Sequence, residues 1–101
     1  MGLLSSLFGN KEKKQDLIID MIQRGGIIID VRTPQEYKSG HVKGSKNIPG
    51  DRIDKEINAI KKMNKPVILC CASGARSGMA TSKLKNAGIE AVNGGSWRSL
   101  N

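Results

Sequence analysis

An apolar run that stops on two thiols does most to restrict what this chain can become. Pro66 precedes Val67, Ile68 and Leu69, which lead to Cys70 and Cys71, then to the small residues Ala72, Ser73, Gly74 and Ala75, and then to Arg76 and Ser77. The run is too short and too β-branched for a helix and reads as a buried strand. Met79, Ala80, Leu84 and Ala87 follow at helical spacing, with Gly88 placed to end the helix. A strand, a turn of small residues and a helix in immediate succession belong to an α/β sheet, where ligands bind in the crevice beyond the carboxyl ends of the strands. Both thiols stand at that end.

Small side chains let the backbone from Ala72 to Ala75 curl with several N–H groups turned inward, a nest suited to an anion. The helix opened by Arg76 and Ser77 directs its positive end at the thiol. A cysteine with a helix N-terminus, backbone donors and a guanidinium around it holds its thiolate at neutral pH, and the thiolate is the nucleophile. The same place accommodates an anionic substrate or product. Cys71 and Arg76 are the candidate catalytic residues, and Ala72, Ser73, Gly74, Ala75 and Ser77 the candidate anion-binding loop.

Cys71-Ala72-Ser73-Gly74-Ala75-Arg76-Ser77 resembles the active loop of the rhodanese-like sulfurtransferases, Cys-x-x-Gly-x-Arg-Ser, at every fixed position. The resemblance implies that Cys71 accepts a sulfane sulfur and carries it as a persulfide. Counted from Cys70, the spacing is instead that of the protein tyrosine phosphatase loop, which is one residue longer and surrounds a phosphate. Both patterns place glycine three residues after the nucleophile, which holds for Cys71 and not for Cys70. Cys70 is therefore expected to end the strand as a small buried residue. A Cys70-dependent phosphatase or arsenate reductase is the competing reading.

A second stretch carries the same resemblance. Asp30-Val31-Arg32, Glu36-Tyr37, Gly40-His41-Val42, Gly44-Ser45 and Asn47-Ile48-Pro49 follow the rhodanese pattern Asp-x-Arg, Glu-Tyr or Glu-Phe, Gly-His-Ile, Gly-Ala, Asn-Ile-Pro. Val42 and Ser45 are mild departures. Asp30 at the end of an apolar run and Arg32 just beyond it are costly to bury singly. Structural ion pairs among Asp30, Arg32 and Glu36 are expected, joining Arg32 to Glu36 or to Asp30. His41 is expected to be a hydrogen-bonded structural residue, and a lone histidine with no cysteine or carboxylate cluster makes no closed metal site. Gly94 and Gly95 are expected to line the cleft and allow close backbone approach. Trp97 either walls that cleft or, the favoured reading, covers the core.

Elsewhere strands alternate with amphipathic helices. Leu17, Ile18, Met21 and Ile22 predict a helix over 12–24, closed by Gly25 and Gly26. A strand follows over 27–31, then a short helix around Glu36. Ile53, Ile57, Ile60 and Met63 predict a helix over 51–63, and Ile89 to Val92 a last strand. The expected fold class is α/β, a small and mostly parallel sheet of four to five strands with helices on both faces. The resemblance implies a strand before the first helix, but nothing before Gln15 reads as one. Residues 15–101 are expected to form the rhodanese-like domain. Residues 1–14 are expected to be a loosely docked tail, with Leu3, Leu4, Leu7 and Phe8 followed by Lys11, Lys13 and Lys14. That tail is too short for a secretory signal or a membrane span, and membrane contact through it is not the expected reading.

Seventeen Lys and Arg against nine Asp and Glu give a net charge of +8. With three aromatic residues, no zinc-finger spacing and scattered basic residues, the charge does not point to nucleic acid. It is expected to be a solvated basic surface, the other reading being attraction of anionic sulfur donors or of an acidic protein partner. Adjacent cysteines build no disulfide framework and suit a reducing compartment, so a cytoplasmic location is expected. The resulting expectation is a monomeric sulfurtransferase without metal or organic cofactor. It would move sulfur from a small anionic donor such as thiosulfate to cyanide or to a thiol acceptor, including that of a small redox protein. The alternative is a sulfur-carrier or interaction module without efficient thiosulfate turnover.

Overall fold

Four parallel strands form the sheet of the computed structural model, which describes residues 3–100, with side chains from residue 13 onward. In chain order the elements are α1 (Leu3–Gln23), β1 (Ile27–Asp30), α2 (Pro34–Lys38), β2 (Lys46–Asn47), α3 (Ile53–Met63), β3 (Val67–Cys71), α4 (Ala75–Asn86) and β4 (Ala91–Ser96). Short 3₁₀ turns at Gly50–Arg52 and Trp97–Leu100 complete them. The strand order is β2-β1-β3-β4. Parallel pairing demands crossover connections, and these put helices on the faces of the sheet.

The thiol-bearing strand is central, and all five of its residues are buried. Its side chains alternate between faces. Val67, Leu69 and Cys71 join Ile29, Val31, Ile53, Ile60, Ala80 and Leu84 in the larger core, under α3 and α4. Ile68 points the other way, toward Met21 of α1 and Val92, with Ile18, Ile28 and Leu100 packed around them. The same alternation separates the two thiols: Cys71 belongs to the α4 side of the sheet, and Cys70 faces away from it.

The α/β architecture agrees with the expectation, and four strands is the lower of the two predicted counts. Two boundaries differ most. The first helix begins at Leu3, well before the predicted position 12. The expected loosely docked tail falls mainly on residues 1–12, whose side chains lie outside the described residues. The last strand starts at Ala91 and extends through Asn93, Gly94 and Gly95 to Ser96, beyond the predicted end at Val92. The glycines mark an irregularity within the strand: the β3–β4 register shifts between Leu69 and Cys70, and Gly95 has φ +81°. No helix among the described residues is long and apolar enough to cross a membrane.

Candidate active site

Cys71 is the last residue of β3, and the chain turns immediately over its sulfur. Gly74, with φ +102°, reverses the backbone so that its own N–H donates to Cys71 Sγ at 3.0 Å. One turn further on, the Ser77 N–H and hydroxyl each lie 3.4 Å from the same sulfur. Only glycine suits position 74. The left-handed φ disfavours a side chain, and a Cβ there would stand 3.3 Å from Gly95 Cα. Gly95 thus abuts the loop. Gly94 does not line a cleft: a Cβ on it would meet Ile68 Cγ2 at 2.9 Å and Leu100 Cδ1 at 3.0 Å. It packs on the core beneath the sheet because alternation turns it away from Gly95.

The residue that ties this loop to the sheet is Asn93, which the sequence reading passed over. Its Nδ2 donates to Gly74 O at 2.9 Å, and its Oδ1 accepts from Ser77 Oγ at 2.7 Å and from Gly95 N at 3.0 Å. One amide therefore holds the turn, the first helical turn and β4 in register. The Ser77 hydroxyl has a single proton and two acceptors, Asn93 Oδ1 and Cys71 Sγ.

The two thiols differ sharply in acidity. Burial alone would push Cys71 up, but the hydrogen bonds from the Ser77 hydroxyl and the Ser77, Gly74 and Ser73 amides outweigh it, bringing the thiol down to about 7. Burial pushes Cys70 up to about 12, with the Asp30 carboxylate adding to it. Cys71 is thus the thiol that ionises near neutral pH. It is also fully enclosed, with 0 % of its surface exposed, so the sulfur lies under the loop and not in an open cleft.

Ser77→Ala removes the hydroxyl donor and is expected to move the Cys71 midpoint upward by roughly half to one pH unit. Following alkylation of Cys71 by iodoacetamide as a function of pH measures this. An unmoved midpoint would assign the acidity to the backbone amides alone.

Of the two expected pairings of Arg32, the structure shows the one with Asp30. Arg32 pairs with Asp30, Nη2 to Oδ2 at 2.7 Å and Nε to Oδ1 at 2.9 Å, with side chains only 5 % and 0 % exposed. Its remaining donors reach the carbonyls of Glu36 and Gly40. The Glu36 carboxylate does not join this pair. It accepts from both terminal nitrogens of Arg76, at 2.7 and 3.1 Å, and from Thr33 N at 3.0 Å in the capping box that starts α2. Arg76 first and Thr33 second draw the Glu36 carboxyl down to about 2. Arg76 therefore presents no free fork to the sulfur. Trp97 covers neither the thiol nor the main core: the Arg32 guanidinium lies 4.6 Å from its ring centroid, and the ring packs against Gly40. His41 stacks on Tyr37 with its Nδ1 2.7 Å from Tyr37 O, a structural arrangement.

A family model described as the rhodanese-like domain matches residues 14–97. The chain is 41% identical over 65 residues to the uncharacterized protein YqhL of Bacillus subtilis, covering 64% of this chain and 51% of that protein. It is 37% identical over 65 residues to the thiosulfate sulfurtransferase PspE of Escherichia coli, covering 63% and 62% respectively. The chain thus spans between half and two thirds of these relatives' own length. Among solved structures, the rhodanese-like domain protein of Staphylococcus aureus superposes with a TM-score of 0.66 at 34% identity, over 74% of each chain.

Proposed function

The chain belongs to the rhodanese-like domain family, and we propose that it is a sulfurtransferase that carries sulfane sulfur as a persulfide on Cys71. The observation that carries this reading is the set of donors converging on one sulfur, Gly74 N–H and the Ser77 N–H and hydroxyl, around a thiol held at about 7. Such a group is nucleophilic in neutral solution and leaves readily as a thiolate, as a two-step exchange requires.

In the first step the Cys71 thiolate attacks the outer sulfur of a donor such as thiosulfate or a low-molecular-weight persulfide. The donor's S–S bond breaks, and its leaving group, sulfite in the case of thiosulfate, departs with the electron pair. In the second step cyanide or a thiolate attacks the outer sulfur of the persulfide, and Cys71 is released as thiolate. In the closed loop, which Asn93 ties to the sheet, the amides supply hydrogen bonds to the anionic sulfur. The enclosed thiol requires the loop around Ala72, Ser73, Gly74 and Ala75 to part for the donor. The acceptor is a small thiol or the thiol of a small redox protein, in a reducing compartment such as the cytoplasm.

Thiocyanate formation from thiosulfate or a small-molecule persulfide in the presence of cyanide tests the reading. Sustained turnover from either donor supports it. Loading of sulfur without turnover would favour the carrier reading, in which the enclosed thiol waits for a protein partner to open the loop. With the thiolate as the reacting species, the loading rate is expected to rise with pH through about 7 and then level off. At one pH unit below the midpoint it is expected to be roughly a tenth of the plateau. A rate independent of pH across that range contradicts a titrating Cys71 nucleophile.

A further inference from the structure

The loop that encloses Cys71 is held down by a single side chain from elsewhere in the chain. Among the described residues, Asn93 alone reaches in from beyond the loop and α4 to hydrogen-bond the backbone of residues 72–77. Its own side of the contact is firm, since Asn93 pairs with Leu69 in the ladder between β3 and β4. The other side is not: Ala72 and Ser73 are exposed and Gly74 is half-buried. The amide fits against α4 because position 78 is glycine, where a Cβ would stand 3.2 Å from Asn93 Nδ2.

The contact is also one that can open, because the groups it joins have second partners. Gly74 O accepts from Gly78 N–H at 2.9 Å as well, Asn93 Oδ1 from Gly95 N–H at 3.0 Å, and the Ser77 hydroxyl also faces Cys71 Sγ at 3.4 Å. Parting the loop from Asn93 leaves only Nδ2 without a protein partner, and water replaces it as the loop lifts. Lifting the loop carries the Gly74 N–H off the sulfur that it covers.

We infer, building on the sulfurtransferase reading above, that Asn93 is a positioning residue that latches the loop over Cys71, and that release of its bonds to Gly74 and Ser77 is the opening that admits the donor and later the acceptor. Between openings the loaded sulfur stays out of reach of thiols in bulk solution.

Alkylation of Cys71 by iodoacetamide reads the opening directly. It is run roughly two pH units above the Cys71 midpoint, where the thiolate predominates. Cys70, on the far side of the sheet, reports any loosening of the fold as a whole. Site-resolved mass spectrometry compares wild type, Asn93→Ala and Asn93→Asp. Aspartate matches asparagine in size and still accepts from Ser77 and Gly95, but it turns an oxygen on Gly74 O and so opposes closure without leaving a gap. In both variants the Cys71 rate is expected to rise about tenfold, the equivalent of ~1.4 kcal/mol and the scale of one or two neutral hydrogen bonds, with Cys70 within about twofold of wild type. A rise at Cys70 in step with Cys71, or an unchanged Cys71 rate in both variants, overturns the inference and leaves sulfur transfer standing. Once loaded from thiosulfate, Asn93→Ala is expected to pass its sulfur to glutathione faster than wild type by the same factor, the glutathione thiolate taking the outer sulfur and Cys71 leaving as thiolate. Equal rates would show that the latch does not gate transfer. If no protein loads from thiosulfate or a small-molecule persulfide, the persulfide reading fails, while the alkylation contrast still decides whether Asn93 latches the loop.

Discussion

Cys71→Ser is expected to reduce sulfur transfer to the uncatalysed background, a loss that for enzymes generally is on the order of 10⁶-fold or more. Serine keeps the shape and the hydrogen bonds but offers no group that ionises near neutral pH. Cys70→Ser should retain most of the rate. Cys70 is fully buried on the opposite side of the sheet from α4, is pushed up to about 12, and receives none of the loop's donors. Thiocyanate formation by the two variants and wild type, from thiosulfate and from an uncharged persulfide, measures the contrast. The opposite pattern, with Cys70 essential and Cys71 dispensable, would shift the nucleophile by one residue and revive the longer, phosphatase-like loop.

The largest stability effect is expected at a residue that does no chemistry. Asp30→Ala leaves the Arg32 guanidinium buried without its carboxylate, since the pair is only 0 % and 5 % exposed and sits beneath Trp97. Breaking a buried pair in this way costs about 3–5 kcal/mol, a large part of the roughly 5–15 kcal/mol that holds a domain together. The urea midpoint should fall accordingly. Removing both charges, as Asp30→Ala with Arg32→Met, should be less damaging than Asp30→Ala alone, because no unpaired charge remains. A double variant as unstable as the single one would mean that the charge is not what Asp30 serves.

Much of this was legible in the chain because it is local. The run Val67 to Ser77 contains its own strand, turn and helix start, so Cys71, Gly74 and Ser77 could be placed against one another by counting residues. The short helix around Glu36 was likewise local, although its capping box of Thr33 and Glu36 was not read from the sequence. The contacts that escaped are those that depend on the fold. The sequence left Arg32 with two expected partners, Glu36 one helical turn on and Asp30 two residues back, and burial beside Asp30 decided for the second. The Glu36 carboxylate instead met Arg76, forty positions along the chain. Asn93 next to two glycines reads as a turn. Its value as a brace exists only once the shifted register of β4 sets it beside Gly74 and Ser77. Trp97 was expected near the cleft or over the core, and its place over Arg32 depends on where the end of β4 comes to rest.

Cys71 Sγ, and not that of its neighbour, is expected to take up the sulfur. The most direct measurement is fragment-ion mass spectrometry of the peptide containing both cysteines, after loading the wild-type protein from each donor and trapping the persulfide by alkylation. The extra sulfur is expected on Cys71 and none on Cys70. Sulfur found on Cys70, or on neither residue after both donors, would contradict this expectation.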